Sequence, residues 1–395
     1  MTEGILSGLN ILDFTWVMAG PYASRILADF GARVIKVQSG KTATGSESNG
    51  SAYFKAWNRN KLGITLDMSH PEARDIVLRL TAISDVVMEN FSPRVMRNWG
   101  LSYDVLTEVR PDLIMVSLSA TGQTGPWKNH VAFAPTVHAL AGLTSMTSFP
   151  ESPPLGVGYA HADAIAGLYA ALLVLTALEH RNKTGQGQYV DLSEYEAMCT
   201  LMGPALMDVL ANNSEAVPQG NGEEHSPAAP HGCFKCSGPD CWCVIAVFSE
   251  KEWRSLCESL GKSEWIKDKR FATMTDRMAH AKELDRLITE WTVCRDPEEV
   301  VEGLQKAGVP AGVVQNAEDL ANDPHLAARC FFGQLEHPGP EKIMVDRSPI
   351  RFTAGGVSEY RAAPSLGQDN RSVYQELLGM SDDELDSLVK KGIIS

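Results

Sequence analysis

The pattern of apolar and polar positions is clearest between Leu9 and Gln38, LNILDFTWVMAGPYASRILADFGARVIKVQ. The apolar run Leu9–Phe14 has the length of a buried strand. It leads into Ala19-Gly20-Pro21, where glycine permits a tight turn and Pro21 suits the first position of a helix. Ala23, Ile26, Leu27 and Phe30 follow at i, i+3, i+4 and i+7, one helical face, and Gly31 stands where a C-cap would end it. Val34–Val37 is a second strand. The result is a β-α-β unit, two parallel strands with a helix across them. Ligands bind such units at the strand-to-helix turn, yet this turn carries one glycine, and neither G-x-G-x-x-G nor G-x-x-x-x-G-K-[ST] occurs in the chain. The layout is nucleotide-like and lacks a phosphate loop.

Three further strands are expected at Asp85–Met88, Leu113–Leu118 and Gln188–Leu192, separated by helices over Pro71–Ile83 and Asp163–His180. Residues 1–211 therefore read as the first part of a large α/β domain. Asn212–Pro230 is rich in Pro, Gly, Asn, Ser and Glu and reads as a linker. Residues 231–325 read as a smaller α+β domain, with a strand pair across His231–Val247 and helices near Glu250–Leu260, Ala279–Trp291 and Pro297–Ala307. Residues 326–395 return to the large domain, and the last helix is expected over Ser381–Lys391, where Ser381 and the acids after it form a helix start. The fold class is α/β: a discontinuous Rossmann-like domain with a smaller α+β one.

Bulk properties narrow the function. The formal net charge of −14 disfavours nucleic acid or an anionic membrane as a general partner. An anionic ligand must then be held by local cations, and Lys36, Arg59, Lys61, Arg94 and Arg97 lie near the expected sheet edge. MTEGILSGLN has no basic region and no apolar core of signal-peptide length. The longest apolar run, Ala164–Leu178, is shorter than the ~20 residues that span a bilayer. Eight cysteines without an export signal point to reduced thiols. These features together predict a soluble, cytoplasmic protein with no membrane partner.

Asp163 is the strongest candidate for chemistry, because a small-residue loop becomes a long apolar helix there. It reads either as a helix N-cap, worth ~0.5–2 kcal/mol, or as a carboxylate nucleophile kept ionised by the helix dipole. The residues alone leave both open. Lys183–Gln188 follows that helix, and its two glycines read first as a cap and turn. Glu89–Pro93 leaves a strand at its carboxyl end, where α/β sheets bind ligands. Asn90 there can hydrogen-bond a ligand amide and Phe91 can stack on a ring, or the segment is a plain turn. Cys233, Cys236, Cys241 and Cys243, with His225 and His231 nearby, admit a zinc knuckle. The C-x-C spacing and the turn-like Ser237–Asp240 favour a packed hairpin instead, so no metal is expected.

In order and spacing these segments resemble the class III CoA-transferases, the family of formyl-CoA transferase and the carnitine CoA-transferase. The matching segments are Leu12–Phe14 with Ala19–Pro21, Leu27–Ala32, Val34–Val37, Asn60-Lys61 with Leu66-Asp67, Glu89–Phe91 and Thr184–Gln188. Further along, Gly308–Pro310 with Asp323-Pro324, and Leu366-Gly367, complete the match. The resemblance implies that Asp163 is the nucleophile, forming an aspartyl–acyl anhydride and then an aspartyl-CoA thioester. It implies CoA contacts at Val17, Ala19, Leu66, Asn90 and Phe91; of the basic residues near the sheet edge, Lys36 and Arg97 are the candidates for the CoA phosphates. CoA thioester is then a substrate and no cofactor is permanently bound. The family fold is an interlocked dimer, as a homodimer or with a related subunit.

Several positions depart from the family pattern. Met18 stands where formyl-CoA transferase has a glutamine, the family's glycine-rich middle loop is missing, and Ser39, Ser69 and Asn98 stand opposite basic residues. Met18, Trp16 and Phe133 are the expected acceptor pocket, which points away from oxalate and formate. Ala229–Cys233 with Trp242-Cys243 is most similar to members that transfer CoA to succinate-type acids such as benzylsuccinate. The related α-methylacyl-CoA racemases need a Gly-His-Asp segment near Phe133 that Asn129-His130-Val131 does not reproduce. A non-catalytic CoA-binding subunit would have no need of Asp163.

Overall fold

The computed structural model describes residues 4–150, 152–213, 218, 220–221, 227–336, 342–353, 356 and 359–395. Most of the expected linker interior, His225 included, lies outside them. The chain forms two compact units. One comprises residues 1–144, 156–215 and 327–395, and the other residues 145–155 and 216–326.

In the first unit the chain runs β1 (Asn10–Asp13), α1 (Ala19–Asp29), β2 (Arg33–Gln38), α2 (Ala52–Trp57), β3 (Lys61–Thr65), α3 (Ala73–Ala82) and β4 (Val86–Glu89). It continues through α4 (Arg94–Asn98), α5 (Tyr103–Val109), β5 (Ile114–Ser119), α6 (Ala134–Leu140), α7 (Leu143–Met146), α8 (His161–Thr184) and β6 (Gln188–Ser193). The six strands make one sheet in the order β3-β2-β1-β4-β5-β6, every neighbour parallel. β4 and β5 are buried at every position, as a sheet covered on both faces requires. One face packs under α1 and α8 through Leu27, Val34, Val116 and Val174, the other under α3 and the C-terminal segment through Ile35, Leu80, Tyr374 and Leu388.

α8 is 24 residues long and apolar enough, by length and composition, to cross a membrane, with a mean hydropathy of 1.6 in its most apolar window. It begins two residues before and ends four residues after the expected Asp163–His180. Here it is a core helix on one side, where Ala166, Gly167, Ala170 and Val174 are buried against α1 and the sheet. Leu168, Leu172 and Leu175 on its other side are 42–57% exposed.

β3 was not foreseen. Its sequence, KLGIT, is short and carries a lysine and a glycine, so neither alternation nor a continuous apolar run marks it. It is the edge strand, and the C-terminal segment covers it. Asp369 accepts a hydrogen bond from Gly63 N–H at 2.8 Å and Asn370 from Thr65 N–H at 2.9 Å, which satisfies an edge that would otherwise pair with another chain.

After β6 come α9 (Glu194–Cys199) and α10 (Gly203–Asn212). The second unit holds β7 (His231–Lys235), β8 (Trp242–Ala246), α11 (Glu250–Ser259), α12 (Met274–Ala279), α13 (Ala281–Thr292), α14 (Pro297–Lys306) and β9 (Ala311–Val313). Its antiparallel sheet has the order β7-β8-β9. α11 starts with a full capping box between Ser249 and Glu252. The cysteine cluster belongs to this hairpin: Phe234, Cys236 and Cys243 are core residues beside Trp253 and Leu256, and burial pushes the Cys243 thiol far above its ordinary range. Among the described residues no His, Cys, Asp and Glu groups are arranged to hold a metal. α15 (Ala317–Asn322), α16 (Pro324–Ala328), the antiparallel pair β10 (Phe332–Glu336) and β11 (Lys342–Asp346), and α17 (Asp382–Lys390) complete the chain.

Candidate active site

Chain order in the large sheet reverses between β1 and β4, so the loops leaving their carboxyl ends flank a crevice. The turn after β1 rests on a buried ionic network. Asp13, wholly buried, accepts hydrogen bonds from Thr15 N–H at 2.8 Å and Ser24 Oγ at 2.7 Å, and pairs with Lys61 Nζ at 3.0 Å. Burial opposes ionisation of Asp13, but the Lys61 and Lys36 charges with the two hydroxyl bonds outweigh it and hold its pKa below the usual value. Lys36 donates to the Thr15 carbonyl. Two buried lysines, Lys36 and Lys61, thus hold the turn from beneath through Thr15, Pro21 and Asp13.

Above this network the turn is held in an unusual shape. Val17 has φ 62°, a left-handed conformation that a β-branched residue adopts only when its surroundings impose it. Those surroundings are identifiable. Asn90, past the end of β4, accepts from Trp16 N–H at 2.8 Å and donates to Trp16 O at 2.9 Å, and Glu47 accepts from Val17 N–H at 2.9 Å. Glu89 accepts from Phe91 N–H at 2.7 Å, and burial lifts its pKa to about 7.

Asp163 is the third residue of α8, whose N-cap is Ala160. The cap reading of Asp163 is thus displaced into the first helical turn. Burial raises the pKa of its carboxyl, an effect that the backbone amides of Ala19, at the head of α1, and of Asp163 itself oppose. α1 can approach this closely because residue 167 is glycine: a Cβ there would lie 2.7 Å from the Ala19 carbonyl oxygen. The α8 start is further tied by His138, 2% exposed, whose Nε2 accepts from Ala162 N–H at 3.0 Å. Burial and the neighbouring His161 lower the His138 pKa and favour the neutral ring that can accept.

A cleft of about 200 Å³ brings together Trp16, Val17, Asn90, Phe91, Phe133 and Asp163. Glu194 and Ser119 join them from the ends of β6 and β5. Tyr53 on α2 also senses Asp163, since burial and then that charge raise its phenol to about 12. Other expected residues lie elsewhere. Met18 is 2% exposed and is not a cleft wall, so the acceptor preference argued from its thioether has no contact to act through. Leu66 and Lys36 are each 1% exposed, and Arg59 and Lys61 are buried in ion pairs with Asp29 and Asp13. Arg94 and Arg97, on α4, are exposed. Sequence reasoning missed Glu47, His138 and Glu194. The available signal for Glu194 was an acid directly after a strand at the carboxyl edge, the same cue that singled out Glu89.

A doubly covered parallel sheet with a cleft at its reversal point, lined by an aspartate at a helix head, defines an α/β fold with a candidate active site at its carboxyl edge. The model of the CoA-transferase family III matches residues 6–370, and the chain belongs to that family of CoA-thioester-using enzymes. It is 33% identical over 398 residues to the succinyl-CoA–D-citramalate CoA-transferase of Chloroflexus aurantiacus, covering 98% of each chain. It is 30% identical over 385 residues to the succinate–glutarate CoA-transferase of Agrobacterium fabrum, covering 94% of this chain and 95% of that one. A crystal structure of a CaiB/BaiF family protein from Brucella suis superposes with a TM-score of 0.87 at 30% identity, over 95% of this chain and 100% of the other.

Proposed function

We propose that the chain moves CoA from succinyl-CoA, or a donor like it, to a free succinate-type acid by covalent catalysis at Asp163. The observation that carries this reading is the Asp163 carboxylate itself, set in the first turn of α8 with the Ala19 amide on it, in a cleft walled by aromatic side chains. A carboxylate oxygen of Asp163 attacks the thioester carbonyl, the C–S bond breaks, and CoA leaves as the thiolate with a mixed anhydride on the enzyme. The thiolate attacks the aspartyl carbonyl of that anhydride, releasing the donor acid and leaving an aspartyl-CoA thioester. The acceptor carboxylate attacks this thioester, giving a second anhydride and thiolate. Attack of the thiolate on the acceptor's carbonyl yields the new acyl-CoA and restores Asp163.

In this reading Trp16, Val17, Asn90 and Phe91 line the CoA path, and Ala19, wholly buried, acts only through its backbone. Partial burial of Asp163 keeps water away from the anhydride and makes the carboxylate a stronger base and nucleophile. Trp16 and Phe133, 43% and 61% exposed, favour an acid with an apolar arm, which an arylsuccinate such as benzylsuccinate supplies. The relatives act on citramalate and glutarate by name, and that supports a dicarboxylic acceptor. The exposed leucines of α8 support a second chain packed on them, in keeping with an interlocked dimer.

The test is a competition. Succinyl-CoA would be mixed with benzylsuccinate, citramalate, glutarate and oxalate, and new thioesters read by mass spectrometry. Succinate-type acids are expected to exceed oxalate by at least ~10-fold in kcat/KM. Preference for oxalate, or transfer to none of the acids, would overturn the reading.

A further inference from the structure

Glu194 has no part in the scheme above, yet it shares the cleft with Asp163. It is 8% exposed, at the head of α9, and among the described residues no hydrogen bond or ion pair is made to its carboxyl. Ser119, on the neighbouring strand end and also 8% exposed, presents an Oγ with no partner to the same cleft. β5 and β6 bring them together, since Ser119 pairs in register with Ser193, the residue before Glu194. Buried polar groups are ordinarily satisfied, and an unsatisfied buried hydroxyl next to a largely buried carboxyl, both facing one cavity beside a nucleophile, marks a place for a ligand.

The state of the carboxyl defines that ligand. Burial, and then the charge of Asp163, raise the Glu194 pKa to about 8, so it carries a proton near neutrality and is a hydrogen-bond donor. A carboxylic acid held neutral by its surroundings donates strongly to an anion. An ionised carboxylate at this position would instead repel the acids that the enzyme must bind. Lys128 lines the same cleft from the exposed segment before α6 and adds positive charge.

We propose that Glu194 and Ser119 form the acid-binding subsite of this cleft, in which the Glu194 carboxyl and the Ser119 hydroxyl each donate a hydrogen bond to a carboxylate of the free acid held beside Asp163. The assignment rests on the transferase reading and deepens it: it names what holds the acid, as distinct from what holds CoA. No covalent bond is made or broken at Glu194.

Exchange of labelled succinate into succinyl-CoA at pH 7 tests this in the full chain. Glu194→Leu removes the donor and should raise the KM for succinate at least ~10-fold while the KM for succinyl-CoA moves less than ~3-fold. Glu194→Gln keeps an N–H donor and should stay within ~3-fold of wild type for succinate, a rescue that a purely structural role would not give. Ser119→Ala should show a smaller rise confined to the same substrate. Should Glu194→Leu fold poorly, Glu194→Met serves in its place. An unchanged succinate KM in the leucine or methionine variant, or an equal rise for both substrates, overturns the assignment. Trapping of the acyl-enzyme with hydroxylamine, using succinyl-CoA alone, reports on Asp163 independently of the acid. A trapped Asp163 with no acid-specific effect sinks only the subsite, whereas no trapping and no exchange in wild type sinks the transferase reading and the subsite with it.

Discussion

Gly167 lies directly against the backbone of Ala19, so close that a Cβ on residue 167 would sit 2.7 Å from the Ala19 carbonyl oxygen. The Ala19 amide in turn reaches the Asp163 carboxylate one helical turn earlier on α8. Gly167→Ala should therefore push α1 and α8 apart at the nucleophile. We expect a loss of ~1–3 kcal/mol in stability by denaturant unfolding and a kcat reduced by at least ~10-fold. Full activity in a variant shown by crystallography to retain the helix spacing would contradict the coupling.

Asp163→Ala and Asp163→Asn should both fold, because the residue is not the helix cap, and both should lose at least ~10³-fold in turnover. Hydroxylamine in the presence of acyl-CoA should modify wild type at Asp163 alone, read by peptide mass spectrometry. Residual turnover within tenfold of wild type would remove the covalent role.

Asn90→Ala removes both hydrogen bonds that fasten Trp16 and leaves the Val17 conformation held by the Glu47 bond. Each bond contributes ~0.5–1.5 kcal/mol. A lower melting temperature is expected together with a KM for acyl-CoA raised several-fold, since the turn is on the proposed CoA path. The strained backbone suggests a companion measurement: Val17→Gly, which accepts φ 62° freely, should stabilise the Asn90 variant more than the wild type.

Lys61→Met leaves Asp13 buried beside Lys36 with its principal partner gone. Removal of one member of a buried pair costs ~3–5 kcal/mol, so this substitution should be among the most damaging in the large unit. Chemical denaturation that shows less than ~1 kcal/mol of loss would mean that Lys36 takes over the pairing.

Glu194 also makes a prediction about pH and stability. Its folded pKa of about 8 lies above the ordinary 4.5. The unfolded chain releases this proton near pH 4.5 and the folded chain keeps it until about 8, so the folded state binds more protons in that window. Stability from this group is therefore complete at low pH and falls as pH rises from 4.5 to 8. Glu194→Gln abolishes the slope. Its melting temperature should exceed that of wild type at pH 8, with the gap closing toward pH 5. A constant gap across that range would show that the carboxyl titrates normally.

Elements with a strong period were legible in the sequence. β1, α1 and β2 lie within a residue or two of their expected bounds, and Ser381 does cap the last helix, accepting from Glu384 N–H. What failed to show was anything decided by distant partners. β3 is a strand because Asp369 and Asn370, some three hundred residues on, satisfy its edge. Lys36 and Arg59 are expected at the sheet edge as cations for an anionic ligand, yet Thr15, Asp29 and Asp346 hold them inside. Met18 illustrates the same limit at the scale of one turn, since a reversed φ at Val17 sets which side chains face the cleft. Of the cleft itself, the strand-end residues Trp16, Asn90 and Phe91 and the helix-head Asp163 were visible, and Glu194 was not.

α8 carries two things at once: Asp163 in its first turn and, beginning five residues later, the exposed row Leu168, Leu172 and Leu175. A helix is stiff over such a span, so its bare flank and its reactive end move as one lever. In the proposed dimer, the chain that covers the leucines would also bear on the aim of the carboxylate. Activity per chain should then fall on dilution before any unfolding is seen, because loss of the cover would let the lever swing while the sheet beneath it stays intact.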